Sequence, residues 1–326
     1  MGLLHNRMVD FALIFPGQGA QYVGMGKDLY QQFPAAKVIF EKANHILGLD
    51  ITKLCFEGPK EELTRTDICQ PAILTASIAA LRALESVSPF SGQLVPKAAL
   101  GLSLGEYTAL VAAGSLTFED AVSLVRKRGQ FMEEASRQNS GTMASVIGFS
   151  LDDAKKVCAE TGAEIANLNS PGQIVISGAK EKVAAASNLA KERGARKVIP
   201  LDVSGAFHSG LMEPAAQRLK AEIDKIEIKS PKIKVVANVN AGYESSPEEI
   251  KANLVAQVKS PVLWEDSIKF LAGQGQGPAG AGIKRDIEVG PGKVLAGLLR
   301  RIDPQLECLN VETAADVAAF KEEMGG

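Results

Sequence analysis

The chain has 326 residues, of which 46% are hydrophobic and 23% are charged, with a formal net charge of −2. This mixture excludes a wholly disordered chain, and the length is sufficient for two domains or for one large domain with an insert. The near balance of 36 basic and 38 acidic residues gives no electrostatic support for a nucleic-acid partner, so none is expected.

The cysteines are scattered and form no C-x-x-C pair, which argues against a structural zinc site or a disulfide framework. They are Cys55, Cys69, Cys158 and Cys308. No uninterrupted apolar run reaches the roughly 18 residues that a membrane span needs, and the first residues lack the apolar core of a signal peptide. We therefore expect a cytoplasmic protein with no membrane partner, no metal and no cofactor, and we expect a monomer.

The first third of the chain alternates between apolar strand patterns, turns and helices. In chain order the predicted elements are a strand at 11–15, a loop at 16–19, a helical region from 28 to about 47, a helix at 72–83 after Pro71, a strand at 98–102, and a helix from Ser103 to Gly114. This alternation predicts an α/β sheet whose chemistry lies at the ends of its strands.

The order of elements changes in the middle of the chain. The predicted elements there are a strand at 142–148, a helix at 151–160, strands at 164–169 and 173–177, a helix at 180–193 and a strand at 197–203. This β-α-β-β-α-β order is the ferredoxin-like pattern. It predicts a small ferredoxin-like subdomain at 140–205, inserted into a larger α/β body formed by 8–139 and 206–326.

After the insert the pattern returns to that of the larger body. The predicted elements are a helix at 213–226, strands at 234–238 and 287–289, and a helix at 293–301. The glycine-rich segment 273–282 has the composition of a turn, and we interpret it as a surface loop, not as a phosphate-binding loop.

Gly101-Leu-Ser103-Leu-Gly105 has the G-x-S-x-G spacing of a nucleophile elbow, and it stands between an apolar strand and a helix, the context that the motif needs. The glycines permit a sharp turn that presents the serine hydroxyl, and the helix amino terminus favours developing negative charge. Ser103 is therefore the predicted nucleophile. The alternative is a tight turn with an incidental serine.

The candidates for a catalytic base are His5, His45 and His208. His5 lies near the amino terminus, and His45 lies in a polar helical stretch that predicts a surface position. His208 lies in a loop of small residues, where a neutral imidazole could take the proton of Ser103 and return it to a thiol leaving group. Position alone favours a structural histidine equally, but the elbow needs a base, which favours His208.

Arg128 lies on a helix that the capping box at 117–120 begins and that continues to about residue 135. It lies about 60° from the centre of the apolar face of that helix. An arginine at the edge of a buried face needs an anion, because unpaired buried charge is costly. The pattern alone leaves three alternatives open: a ligand, a structural carboxylate, or a side chain that extends to solvent.

Several motifs occur in order between residue 11 and about residue 300. They are Phe15-Pro-Gly-Gln18-Gly-Ala-Gln21, Gly101-Leu-Ser103-Leu-Gly-Glu106-Tyr, Arg128-Gly-Gln-Phe-Met132, Asn169-Ser-Pro-Gly-Gln-Ile-Val-Ile-Ser177, Gly205-Ala-Phe-His208-Ser, Gln257-Val-Lys-Ser-Pro-Val-Leu-Trp264 and Glu288-Val-Gly-Pro-Gly-Lys-Val-Leu295. As an ordered set they resemble the malonyl-CoA:acyl carrier protein transacylases and the related acyltransferase domains of polyketide synthases.

The resemblance implies that Ser103 becomes acylated and that His208 is its base. It implies that the backbone N–H groups of Gln18 and Leu104 form the oxyanion hole. Leu102 departs from the family pattern, since many relatives have histidine immediately before the nucleophile, but it removes none of these roles.

The resemblance also implies that Arg128 holds the free carboxylate of the malonyl group. Gln257 would orient His208 through its main-chain carbonyl, where a hydrolase of this fold uses Asp or Glu. The implied fold is an α/β-hydrolase-like large subdomain with a ferredoxin-like small one and the cleft between them.

The implied function is transfer of malonyl from malonyl-CoA to the phosphopantetheine thiol of an acyl carrier protein, for fatty-acid biosynthesis. A stand-alone malonyl acyltransferase that serves a polyketide synthase remains an alternative. A serine esterase or thioesterase is disfavoured by the absence of a strongly placed acid and by Arg128. A non-catalytic carrier-binding module is disfavoured because Ser103, His208 and Arg128 occur together.

Overall fold

The computed structural model describes residues 10–87, 95–274 and 282–323. The strands are β1 (Ala12–Phe15), β2 (Ala98–Gly101), β3 (Gly141–Ile147), β4 (Glu164–Ser170), β5 (Gln173–Ala179), β6 (Lys197–Pro200), β7 (Lys234–Val236), β8 (Tyr243–Glu244), β9 (Arg285–Val289) and β10 (Glu307–Val311). The helices are α1 (Lys27–Gln32), α2 (Pro34–Leu47), α3 (Ile51–Glu57), α4 (Lys60–Thr64), α5 (Thr66–Val87), α6 (Leu104–Ala112), α7 (Phe118–Gln138), α8 (Leu151–Thr161), α9 (Lys180–Glu192), α10 (Glu213–Ile223), α11 (Pro247–Gln257), α12 (Trp264–Leu271), α13 (Val294–Ile302) and α14 (Ala314–Glu323). His5 and most of the glycine-rich segment 273–282 lie outside the described residues.

Six strands form the larger sheet, in the order β10-β9-β1-β2-β7-β8. Its first five strands run parallel, and β8 pairs antiparallel with β7. A parallel sheet needs cover on both faces, and apolar clusters supply it: Leu13 and Phe15 pack with α5 on one face, whereas Ile14 and Leu100 pack with α12 and α13 on the other. The central strands are therefore buried, and their carboxyl ends lie together at one edge.

Four strands form the second sheet, in the order β4-β5-β3-β6, and each neighbouring pair of strands is antiparallel. Side chains of α8 and α9, such as Val157 and Ala186, pack with Val146 and Ile176 in a separate apolar cluster. The order β3-α8-β4-β5-α9-β6 is the predicted one, although β6 ends three residues earlier than predicted, at Pro200. Together the two sheets and their helices confirm the predicted mixed α/β fold.

Two prolines add detail to the predicted helices. The helical region predicted from 28 to about 47 consists of two helices, α1 and α2, because Phe33 precedes Pro34 and is extended, with φ −120° and ψ 111°. The helix predicted after Pro71 begins at Thr66 and contains Pro71. The missing N–H of Pro71 removes one hydrogen bond near the helix start, and the apolar packing of this almost wholly buried helix offsets the loss.

Helix α5 is, by length and composition, the one candidate for a membrane span among the described residues. In the fold, 94% of its apolar window is buried inside the protein. A core helix of a soluble protein passes the same test, so α5 is weak evidence for a membrane.

Candidate active site

Ser103 lies on the turn between β2 and α6, with φ 53° and ψ −98°. The residues two positions before and after Ser103 must be glycine, because neighbouring backbone atoms leave no room for a Cβ atom. A Cβ atom at Gly101 would overlap the backbone of Gly105, and a Cβ atom at Gly105 would overlap the carbonyl oxygen of Phe15. The glycine spacing in the sequence thus corresponds to a strained strand-to-helix turn, which persists only when its surroundings hold it.

Two amide side chains hold the backbone of Ser103. Asn238, which follows β7, accepts a hydrogen bond from the Ser103 N–H through Oδ1 at 2.7 Å and donates from Nδ2 to the Gly101 carbonyl at 2.8 Å. Gln257, the last residue of α11, donates from Nε2 to the Ser103 carbonyl at 3.0 Å. Both polar groups of the strained residue are therefore fixed by side chains distant in sequence.

His208 lies beside the nucleophile, with Nε2 2.9 Å from Ser103 Oγ. Its Nδ1 lies 2.8 Å from the main-chain carbonyl oxygen of Gln257. Because a carbonyl oxygen only accepts hydrogen bonds, Nδ1 carries the hydrogen and Nε2 is left to accept the Ser103 proton. The contact predicted from the family resemblance between His208 and the Gln257 carbonyl is present.

The imidazole of His208 is buried and neutral near pH 7. Burial, reinforced by the positive charge of Arg128, lowers the pKa of His208 to about 4. A neutral ring is the form that can act as a general base. Of the other histidines, His45 is exposed near the end of α2, in agreement with its predicted surface position.

Arg128 lies on α7, which begins at the predicted cap, where Thr117 Oγ1 accepts from the Asp120 N–H. The arginine is 1% exposed. Its Nη1 donates to Gln70 Oε1 at 2.8 Å, and its Nη2 lies 3.0 Å from both Ser103 Oγ and Gln257 Oε1.

All three acceptors around Arg128 are neutral. Within the described parts of the chain, no Asp or Glu oxygen lies within 4.0 Å of the guanidinium. Burial lowers the pKa of Arg128, but an arginine side chain stays charged in proteins. In the part of the chain that the structure describes, no structural carboxylate of the kind that the sequence left open is therefore in contact with Arg128, although the buried Glu106 carboxylate attracts the guanidinium from a greater distance. A buried positive charge lies next to the nucleophile with neutral hydrogen-bond partners.

The predicted oxyanion residues lie on the two sides of the elbow. Leu104 is the first residue of α6, where a helix N–H has no partner in its own helix. Gln18 follows β1, in a loop that approaches the elbow so closely that a Cβ atom at Gly17 would overlap the Leu102 carbonyl oxygen. Gln18 also lines an open depression of about 350 Å³.

Sequence reasoning assigned no role to three buried polar residues of this site: Gln70, Glu106 and Asn238. Glu106 Oε2 accepts from the Asn238 N–H at 2.8 Å and from Gln257 Nε2 at 2.9 Å. Burial raises the pKa of Glu106, and these two hydrogen bonds counteract the rise. The one signal in the sequence was the position of Glu106 inside the nucleophile motif, since its partners lie more than 130 residues away.

A serine on a strained turn, paired with a neutral histidine, defines a serine-nucleophile enzyme of the acyl-transfer class. Comparison with known proteins places the chain more narrowly. Residues 12–281 match the acyl transferase domain family. The chain is 47% identical over 309 residues to the malonyl CoA-acyl carrier protein transacylase of Bacillus subtilis strain 168, which covers 93% of this chain and 94% of that protein.

Solved structures agree with the sequence match. The malonyl CoA-acyl carrier protein transacylase of Coxiella burnetii superposes with a TM-score of 0.90 at 40% identity, covering 97% of this chain and 98% of that one. A type II PKS acyl-carrier protein in complex with its malonyl-transacylase gives a TM-score of 0.90 at 38% identity, covering 96% and 99%. The chain belongs to the acyl transferase domain family, which confirms the resemblance stated from its motifs.

Proposed function

We propose that this protein is an [acyl-carrier-protein] S-malonyltransferase that moves malonyl from malonyl-CoA to the phosphopantetheine thiol of an acyl carrier protein, for fatty-acid biosynthesis. The observation that carries this proposal is Arg128. A buried guanidinium 3.0 Å from the nucleophile oxygen, with neutral partners in the described structure, is suited to the free carboxylate of a malonyl group. The names of the relatives, malonyl CoA-acyl carrier protein transacylases, support the same reaction.

The first half of the reaction loads the enzyme. Ser103 Oγ bonds to the thioester carbonyl carbon while its proton passes to His208 Nε2, 2.9 Å away. The carbon–sulfur bond then breaks, and the departing sulfur takes the proton from His208, which leaves malonyl-Ser103 and free CoA. The backbone N–H groups of Gln18 and Leu104 are proposed to stabilise the oxyanion that forms in between.

The second half runs in reverse with a different thiol. The carrier thiol gives its proton to His208 and attacks the ester carbon. The carbon–oxygen bond breaks, and Ser103 recovers the proton. The charge that develops on His208 in both halves is supported by the Gln257 carbonyl, which accepts from Nδ1 at 2.8 Å, and no carboxylate is required at that position.

We propose that the six-stranded sheet belongs to an α/β-hydrolase-like subdomain, formed by 8–139 and 206–326, and the four-stranded sheet to a ferredoxin-like subdomain at 140–205. The strand order β4-β5-β3-β6 and its antiparallel pairing support the second assignment. The two parts are joined by hydrogen bonds between β4 and the strand-like residue Val262. Monomeric state, cytoplasmic location and the absence of nucleic-acid or membrane partners stay predictions from the sequence.

The assignment of the malonyl carboxylate to Arg128 is tested by replacing the guanidinium. Acetyl-CoA lacks that carboxylate and leaves Arg128 unpaired, so we expect it to be a poor substrate. Arg128→Ala should lower the malonyl-to-acetyl ratio of kcat/KM by about 30-fold or more, since loss of one partner of a buried charged pair costs about 2–5 kcal/mol. Arg128→Lys should restore the ratio in part, because a point charge cannot form two parallel hydrogen bonds.

Arg126→Ala is the matched control, because Arg126 lies on the same helix, is half-buried and points to the Leu47 carbonyl instead of the site. Its ratio should equal that of the unaltered enzyme. An unchanged ratio in Arg128→Ala would assign Arg128 a structural role and remove the main support for a malonyl substrate.

A further inference from the structure

Glu106 is a buried carboxylate that the reaction above does not use. It lies on α6, one helical turn after Ser103, and is 0% exposed. A buried carboxylate is costly unless hydrogen bonds compensate it. Its oxygen Oε2 accepts from two donors, the Asn238 N–H at 2.8 Å and Gln257 Nε2 at 2.9 Å.

These two donors belong to the residues that hold the nucleophile. Asn238 accepts from the Ser103 N–H, and Gln257 donates to the Ser103 carbonyl. Glu106 therefore connects, through one oxygen atom, to both polar groups of a residue whose backbone lies in a strained region. Without that acceptor, the main chain at Asn238 and the side chain of Gln257 would lose the group that aligns them with each other.

Gln257 extends the same network to the other two reacting groups. Its Oε1 accepts from Arg128 Nη2 at 3.0 Å, and its main-chain oxygen accepts from His208 Nδ1 at 2.8 Å. Since Nε2 of Gln257 is bound to Glu106, rotation of the Gln257 side chain would also displace Oε1 from Arg128. The position of the arginine is therefore coupled to Glu106.

We propose that Glu106 is a positioning residue for acyl transfer. Through Asn238 and Gln257, it fixes the position of the nucleophile Ser103 relative to the carboxylate-binding Arg128. The inference rests on the proposed function for the identity of the substrate. Glu106 is not the acid of a hidden triad, because the Nδ1 atom of His208 is bound to the Gln257 carbonyl. Its effect on the reaction is exerted through Gln257 and Asn238.

Two substitutions separate the effect of the hydrogen-bond acceptor at Glu106 from the effect of its negative charge. Glu106→Ala removes the acceptor, and we expect kcat for malonyl transfer to fall about 10²-fold, as misplacement of a catalytic group by about 1 Å does. Glu106→Gln keeps one oxygen that can accept both donors but loses the charge and places an amide nitrogen at Oε1, which has no hydrogen-bond partner among the described residues. We expect about a fivefold loss for this variant.

The measurement that separates positioning from mere stability is substrate selection. Because Glu106 also holds Arg128 through Gln257, the malonyl-to-acetyl ratio of kcat/KM should fall in Glu106→Ala and recover in part in Glu106→Gln. The matched control is Glu288→Ala. Glu288 is also 0% exposed and accepts from the Leu295 and Ala296 N–H groups and from Asn310 Nδ2, away from the nucleophile. It should lower the melting temperature and leave the ratio unchanged.

Folded Glu106→Ala with kcat and ratio within about twofold of the unaltered enzyme would overturn the inference. A loss of rate with an unchanged ratio would also overturn it, because that is the effect of a structural residue. If Glu106→Ala does not fold, Glu106→Gln decides, and unaltered kcat and ratio in that variant would contradict the proposal. Absence of malonyl transfer in the unaltered enzyme would instead contradict the proposed function.

Discussion

The two sheets differ in where they place strain and buried charge. Ser103, just after β2 of the six-stranded sheet, and the neighbouring His208 both have positive φ angles, and Arg128 and Glu106 are buried beside them. In residues 141–200, all of which the structure describes, positive φ angles occur at glycines and the core is an apolar cluster. Unfavourable conformations and buried charges are tolerated where hydrogen bonds over-determine them, and this is characteristic of functional sites.

The largest effect within this contrast is expected from His208. His208→Ala removes the group that takes the Ser103 proton, so malonyl transfer should fall about 10²–10⁴-fold. Steady-state kinetics with malonyl-CoA and carrier protein measure this loss. His45→Ala is the control, because His45 is exposed on α2 and should have the unaltered rate. Equal rates in the two variants would exclude His208 as the base.

A smaller effect is expected from lowering the pH. The pKa of His208 is about 4, and below that value its Nε2 carries a proton and cannot accept another. The value of kcat/KM should therefore persist through pH 6 and 5 and decline as the pH falls through about 4. Enzyme returned from each pH to pH 7 should regain its full rate, which controls for unfolding. A half-loss of rate near pH 6.5 would contradict the buried, neutral histidine.

The smallest effect on malonyl transfer is expected from Asp286, a buried acid that lies away from the nucleophile and that should affect stability alone. Asp286 on β9 is 3% exposed, and burial raises its pKa to about 8. Because this folded pKa exceeds the unfolded value of about 3.9, the stability that Asp286 contributes is fully present below about pH 4 and is lost as the pH rises to about 8. Asp286→Asn should therefore raise the free energy of unfolding by a few kcal/mol at pH 8 and by about 1 kcal/mol at pH 5.

Thermal unfolding at the two pH values measures this difference, and the malonyl transfer rate at pH 7 should not change. Equal gains at both pH values would show that Asp286 is ionised in the folded protein. A loss of transfer activity would show that the buried acid Asp286 also serves the active site.

The sequence predicted those parts of the site that depend on local spacing. Gly101 and Gly105 predicted the turn at Ser103, because the two close backbone contacts that require glycine lie within and beside one motif. The order of strands and helices around the four-stranded sheet could also be predicted, because the spacing of apolar residues differs between strands and helices. The role of the Gln257 main-chain carbonyl was predicted from the family resemblance alone. A main-chain atom is present in every residue, so no side-chain pattern could have indicated it.

The sequence did not predict the network behind the nucleophile. Glu106 and Asn238 are 132 residues apart, and the position of Glu106 inside the nucleophile motif did not indicate that Asn238 is its partner. The start of α5 was also missed, because the rule that proline ends a helix is outweighed by burial of the segment around Pro71. Both misses concern groups whose environment is set by tertiary packing, which local pattern does not contain.

The central claim is that Ser103 carries malonyl as an ester during its transfer from the thiol of CoA to the thiol of the carrier protein. The mass of the intact protein tests this claim most directly. Incubation with malonyl-CoA should add one malonyl group to the unaltered enzyme, and acyl carrier protein should then remove it and become malonylated. Ser103→Ala should fold normally and gain no mass. Label at another residue in Ser103→Ala, release of free malonate in place of malonyl carrier protein, or no adduct on the unaltered enzyme would contradict the account.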